Sequence, residues 1–107
     1  LFKESFYWYL KKILKSDGII VSQSESMFYN FDLIRNMHKF KKKYFKYVKY
    51  YYTMVPTYPS GSIGFQFCSE KDYFYEKNNI DKIDGLKYYN SSVHFGSFLT
   101  PNFISNL

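Results

Sequence analysis

Apolar positions open the chain at helical spacing. Phe2, Phe6, Tyr9, Leu10, Ile13 and Leu14 recur on one stripe, while Lys3, Lys11, Lys12 and Lys15 fall mostly between them. This predicts an amphipathic helix, stopped at Asp17-Gly18 because glycine suits the left-handed position past a helix end. The pattern then changes. Ile19-Ile20-Val21-Ser22-Gln23 is a short β-branched run, as in a buried strand, and polar Gln23-Ser24-Glu25-Ser26 belongs at its carboxyl end. Asn30 or Asp32 can cap a second helix whose buried stripe would be Leu33, Met37, Phe40 and Tyr44. Two further strand-like runs, Tyr47 to Val55 and Ser62 to Ser69, flank a segment punctuated by proline and glycine. Residues 70–87 are mixed and charged, which predicts a surface loop with a short helix near Ile80 to Leu86. A tail through Leu86-Lys87-Tyr88-Tyr89-Asn90 closes the chain.

The order helix, strand, helix, strand, strand predicts an α/β fold. Its first pieces suit an open sheet, and the closing pair suits antiparallel addition at the edge. At 107 residues, with no internal repeat or linker, the chain makes one structural unit. Ligands of open α/β sheets bind beyond the carboxyl ends of the strands, which singles out Gln23 and Glu25. The connection Val55-Pro56-Thr57-Tyr58-Pro59-Ser60-Gly61 adds a third candidate. Proline fixes its own φ and pushes the residue before it to extended geometry, so Tyr58 has few backbone options and holds its hydroxyl in a defined place. An amide, a carboxylate and a phenol together suit the ammonium groups of a polyamine. Taken alone, the same segment also fits a proline-stiffened hairpin that binds nothing.

Thirteen Tyr, twelve Phe and one Trp supply enough large side chains for a core despite the short length. Alanine is missing and Arg35 is the lone arginine, whereas Lys, Asn, Tyr, Phe and Ile, all with AT-rich codons, abound. The net charge of +6 raises a nucleic-acid reading. Its densest source is Lys39, Lys41, Lys42, Lys43, Lys46 and Lys49, which fall around the solvent face of the second helix and just beyond it. No nucleic-acid-binding signature accompanies them, so a solvated lysine face is the reading and no nucleic-acid partner is expected. Cys68 is alone, which rules out an internal disulfide framework, and neither His38 nor His94 has metal-ligand spacing. No apolar run approaches the roughly eighteen residues of a membrane span, and no signal peptide is visible. A reducing, soluble, cytoplasmic setting without membrane attachment is the expectation. The chain starts at Leu1, already inside a helical pattern, and so reads as a piece of something longer.

The proline segment, Pro56-Thr57-Tyr58-Pro59-Ser60-Gly61, resembles the PTYPSG segment of the spermidine synthase family of aminopropyltransferases. The likeness extends along the chain. Leu1-Phe2-Lys3-Glu4-Ser5-Phe6-Tyr7 resembles the family's LF-x-x-x-(F/Y)-(F/Y) helix start, and residues 14–26 are similar to its L-K-x-D-G…Q-x-E-(S/C) segment. Asp32-Leu33-Ile34, Ile63-Gly64-Phe65, Leu86-Lys87-Tyr88-Tyr89-Asn90 and Val93-His94 match in order, and Phe98 and Pro101 keep their spacing to that histidine. The resemblance implies the carboxy-terminal part of a methyltransferase-like Rossmann sheet over residues 1–70, with residues 71–107 as loop and tail of the same unit. It implies transfer of an aminopropyl group from decarboxylated S-adenosylmethionine to putrescine, in an enzyme that is a homodimer when complete.

Carried over residue by residue, Tyr58 would contact the acceptor amine, Gln23 would lie at the acceptor-diamine site and Glu25 would support them. Tyr88, Tyr89 and His94 match the family's tail, where packing is the expected role. The departures are as informative. The family's amino-terminal β-rich domain, its glycine-rich donor-binding turn and the D-x-x-D-P-type segment with the general-base aspartate have no counterpart in these residues. Gly96-Ser97 stands where Ala-Ala is usual, and Thr100 where a hydrophobic residue precedes Pro101. No catalytic residue, cofactor or metal is therefore assigned; decarboxylated S-adenosylmethionine is a co-substrate whose main site is absent. The chain alone is expected to be inactive. Spermine synthases and plant putrescine N-methyltransferases are similar here, and a non-catalytic pseudoenzyme or interaction fragment is a further alternative.

Overall fold

Two helices, α1 (Glu4–Ile13) and α2 (Phe31–Tyr44), cover one face of a three-stranded sheet made of β1 (Ile19–Gln23), β2 (Tyr47–Met54) and β3 (Ser62–Ser69). The computed structural model describes residues 3–73 and 79–107, with residues 79 and 80 by their backbone alone. Phe2 and the Ile80 side chain thus lie outside the described residues. Strand order is β1-β3-β2, and β3 runs antiparallel to both neighbours, pairing Ile20 with Cys68 and Val48 with Cys68. β1 and β2 consequently point the same way, and the closing pair adds antiparallel as expected.

Side chains at even positions of β1 and β2 face the helices. Tyr7, Phe45, Val48 and Cys68 form one buried cluster there, with Leu10, Leu14 and Ile20 against it; Met27, Ile34, Tyr50 and Ile104 form a second. Three expectations change. In α1 the fully buried residue is Tyr7, whereas Tyr9 and Ile13 of the expected stripe are exposed. Phe6, Tyr7, Trp8 and Tyr9 are consecutive aromatics, so apolar spacing leaves the phase of this helix undetermined, and the Tyr7 side is the one that meets α2 and the sheet. β1 is not a buried strand: among the described residues nothing pairs with its outer edge, and Ile19 and Val21 stay exposed because they open onto a groove under the tail rather than into a packed layer. Lys41 is not solvated. It is fully buried, with its ammonium held by Ser22 Oγ at 2.7 Å and Gln66 Oε1 at 2.5 Å and lying 4.3 Å from the Tyr7 ring centroid. These partners offset part of the desolvation of the charge, and burial still lowers the Lys41 pKa to about 8.

Smaller differences follow from local chemistry. Asn30 occupies the N-cap of α2 without a side-chain capping bond. A 3₁₀ turn at Asn79–Lys82 stands in place of the helix expected near Ile80 to Leu86. The tail is more ordered than expected, because Asn90 Oδ1 accepts the Val93 amide at 2.8 Å and starts α3 (Ser91–Gly96). α3 lies over the second face of the sheet, where Phe98 packs against Tyr51 with ring centroids 5.1 Å apart. The Tyr52 amide donates to Ser97 O at 3.2 Å. The chain then turns into α4 (Asn102–Ser105), which places Ile104 in the core on the first face.

Candidate functional site

The site begins where β1 stops. Beyond Gln23 the pairing with β3 continues through Ser24, whose amide donates to Gly64 O at 2.7 Å. Glu25 then takes a left-handed backbone, φ 56°, which is costly for a residue with a Cβ. Two donors pin it there through its carbonyl oxygen: the Gly64 amide at 2.8 Å and the Tyr50 hydroxyl at 3.3 Å. Tyr50 reaches it only because residue 64 is glycine, since a Cβ there would lie 1.8 Å from the Tyr50 hydroxyl. Burial raises the Tyr50 pKa to about 12, so the phenol keeps the proton it donates.

Opposite stands the β2–β3 connection. The Tyr58 amide donates to Val55 O at 3.0 Å and the Gly61 amide to Tyr58 O at 2.8 Å, which closes two successive four-residue turns that share Tyr58. Pro56 and Pro59 occupy the second position of each, where a fixed φ favours the turn. Gly61, at φ 70°, supplies the left-handed residue that returns the chain to β3. The rigidity expected for Tyr58 thus comes from both turns as well as from the prolines.

Gln23, Glu25 and Tyr58 line one open hollow of about 360 Å³, with Tyr29, Asn30 and Ser60 completing its wall. Among the described residues no hydrogen bond or ion pair occupies the Gln23 amide, the Glu25 carboxylate or the Tyr58 hydroxyl. The hollow therefore offers acceptor oxygens and the phenols of Tyr58 and Tyr29 to a cationic guest. Tyr29, Asn30 and Ser60 had no signal in the sequence beyond their nearness to Glu25 and Tyr58. A second, larger groove of about 470 Å³ lies between the other face of the sheet and the tail, walled by Tyr51, Phe67, Phe98, Tyr89 and His94. Tyr89 and His94 are hydrogen-bonded to each other at 2.7 Å, and the His94 ring meets Phe95 edge-on at 5.0 Å between centroids.

Residues 1–81 match the family described as the spermine/spermidine synthase domain. The chain belongs to that family. It is 42% identical over 107 residues to a polyamine aminopropyltransferase of Leptospira biflexa, and the match covers 96% of the chain and 37% of that relative. A spermidine synthase of Dictyostelium discoideum is 40% identical over 108 residues, with 96% and 37% covered. Among solved structures, the spermidine synthase of Thermotoga maritima superimposes with a TM-score of 0.85 at 30% identity, over 97% of this chain and 38% of that one. A spermidine synthase in complex with the transition-state analogue AdoDATO gives 0.87 at 32% identity, over 99% and 38%. The chain thus spans well under half the length of these relatives. Its fold is the one expected, an α/β unit of the methyltransferase-like spermidine synthase architecture. Among the described residues, no helix is long and apolar enough to cross a membrane.

Proposed function

We propose that this chain forms the acceptor side of an aminopropyltransferase of polyamine biosynthesis, one that moves an aminopropyl group from decarboxylated S-adenosylmethionine to putrescine. The observation that carries the reading is the meeting of Gln23, Glu25 and Tyr58 at one hollow in a chain of this family. The reaction is a displacement at a sulfonium-activated carbon, so the attacking amine must be aimed and free of its extra proton. Gln23 Oε1 and the Tyr58 hydroxyl orient the amine by hydrogen bonds, and Glu25 supplies negative charge for the ammonium end. Strain held at Glu25 and the doubled turn at Tyr58 fix both groups before the diamine arrives, which lowers the ordering cost of binding. The general base and the main donor site lie outside these residues, and so the chain alone is inactive. A cytoplasmic setting and a homodimeric complete enzyme belong to the same proposal.

Replacing Tyr58→Phe in the natural protein containing these residues should raise KM for putrescine about fivefold, the net worth of one hydrogen bond to a neutral amine. An unchanged KM would remove Tyr58 from the site. The inactivity has its own assay: spermidine formed by the 107 residues alone from putrescine and decarboxylated S-adenosylmethionine would overturn it. A spermine synthase of Arabidopsis thaliana is 37% identical over 115 residues, which supports a second reading with spermidine as acceptor. Product analysis with each amine in turn separates the two.

A further inference from the structure

Asn30 and Asn90 hold the same place before two helices and behave differently. Asn90 starts α3 from an extended backbone, and its Oδ1 accepts the Val93 amide at 2.8 Å. That is the ordinary work of a helix-capping asparagine. Asn30 precedes α2 with φ −125° and ψ 34°, outside the extended region, and its side chain makes no capping bond. Its backbone is nonetheless fixed on both sides. The Asn30 amide donates to Ser26 O at 2.8 Å, and Asn30 O accepts the Ile34 amide at 3.0 Å. Among the described residues nothing bonds to its side-chain amide, which stands half-buried in the wall of the hollow that holds Gln23, Glu25 and Tyr58. We propose that Asn30 determines which amine this hollow accepts: its Oδ1 takes a hydrogen bond from the far ammonium of the diamine, beside the Glu25 carboxylate. The inference rests on the acceptor-side reading above and adds to it the recognition of the end remote from the attacking amine.

A count of donors and acceptors supports this assignment. A primary ammonium carries three N–H donors, and each one taken out of water needs an acceptor. The Glu25 carboxylate serves one or two of them, from a backbone that Gly64 and Tyr50 hold in place. Glu25 and Asn30 belong to one short loop, closed by the bond from the Asn30 amide to Ser26, so their side chains serve the same end of a guest. The neutral acceptors along that loop are Ser26 Oγ, Tyr29 Oη and Asn30 Oδ1. Ser26 Oγ already accepts the Phe28 amide at 3.3 Å, and a phenol must also place its own proton. An amide oxygen has two lone pairs and no proton to place, which makes Asn30 the fitting third acceptor. The positive end of α2 alone would disfavour a cation here; Glu25 and Asp32 of its first turn offset it. The class selected is a straight-chain diamine with a primary ammonium at its far end. A monoamine of the same length leaves the Asn30 and Glu25 oxygens without their partner and is discriminated against.

The test compares putrescine with 1-aminobutane, which has the same four carbons and lacks the far ammonium. In the natural protein containing these residues, kcat/KM for each amine is read from release of methylthioadenosine, the product common to both. Asn30→Ala should lower kcat/KM for putrescine about tenfold, the lower end for a hydrogen bond to a charged group. It should leave the value for 1-aminobutane within about twofold. Asn30→Asp keeps an acceptor oxygen and should hold kcat/KM for putrescine at or above the natural value. The urea midpoint of Asn30→Ala should not fall, since no cap is lost, whereas Asn90→Ala should lower the midpoint and spare the selectivity. Equal losses for the two amines, or no loss with putrescine, would make Asn30 a structural residue and overturn the inference, as would an Asn30→Asp variant as impaired as Asn30→Ala. Tyr58→Phe acts at the attacking amine and should lower both values. If it changes neither, the acceptor-side reading itself fails; if it lowers both while Asn30→Ala shows no selectivity, only the present assignment does.

Discussion

Gly64 connects the interior to the candidate acceptor hollow. Its missing side chain lets the Tyr50 hydroxyl approach, and its amide holds Glu25 in a left-handed backbone. Gly64→Ala should destabilise the fold by about 1–3 kcal/mol through overpacking, readable as a lower urea midpoint. It should also weaken diamine binding in the natural protein, since Glu25 loses its support. At His38 the consequence is a pH slope. Burial first, and then the charges of Lys42, Lys41 and Lys49, hold its folded pKa at about 4, below the ordinary 6.5. As pH falls through this interval the unfolded chain takes a proton that the folded one refuses. Stability should therefore drop between pH 6.5 and 4, and His38→Asn should flatten that part of a pH series of urea midpoints. Neither behaviour was legible in the sequence. Gln23 and Tyr58 stood out there through rim position and flanking prolines, whereas the Gly64–Tyr50–Glu25 contact depends on a cross-strand register that one-dimensional spacing does not encode.

At the scale of elements, α1 carries apolar side chains on two sides. The Tyr7 side is covered by α2 and the sheet; the side with Tyr9 and Ile13 is open. Tyr7→Ala should cost about 3–5 kcal/mol, like other buried aromatic truncations, while Tyr9→Ala should stay within about 0.5 kcal/mol. Equal costs would mean that the helix sits in the other phase. The order of the first five elements was legible, and the hairpin's strand bounds to within a residue, because β-branched and aromatic runs end at proline and glycine, whereas α3 and α4 were not. The phase of α1 was not, since four consecutive aromatics satisfy every helical stripe equally. Lys41 escaped for a related reason: a long side chain can snorkel or be buried, and only the polar partners Ser22 and Gln66, distant in sequence, decide which.

The molecule as a whole is thin. Its Cα radius of gyration is 14.5 Å, against about 13 Å for a compact chain of this length, and its shortest dimension is 23 Å. Such a slab leaves Ile19 and Val21 exposed on β1, whose outer edge is unpaired among the described residues, and Trp8 and Ile13 exposed on α1. Exposed apolar side chains next to a free strand edge promote association. The 107 residues in isolation should self-associate as concentration rises, and Val21→Lys should hold them monomeric in sedimentation velocity runs, because a charge on an edge strand opposes edge pairing.

The course of the tail has a consequence for how this slab comes apart. Phe98 rests on one face, Ile104 is embedded in the other, and Ser97 bonds to the backbone of β2 between them. A segment clasped on both sides cannot fray from its end without uncovering the sheet twice. Residues 97–107 therefore open together with β2 as one cooperative unit, and cutting the chain within them would loosen the aromatic groove and a smaller hollow beside His38 at a single stroke.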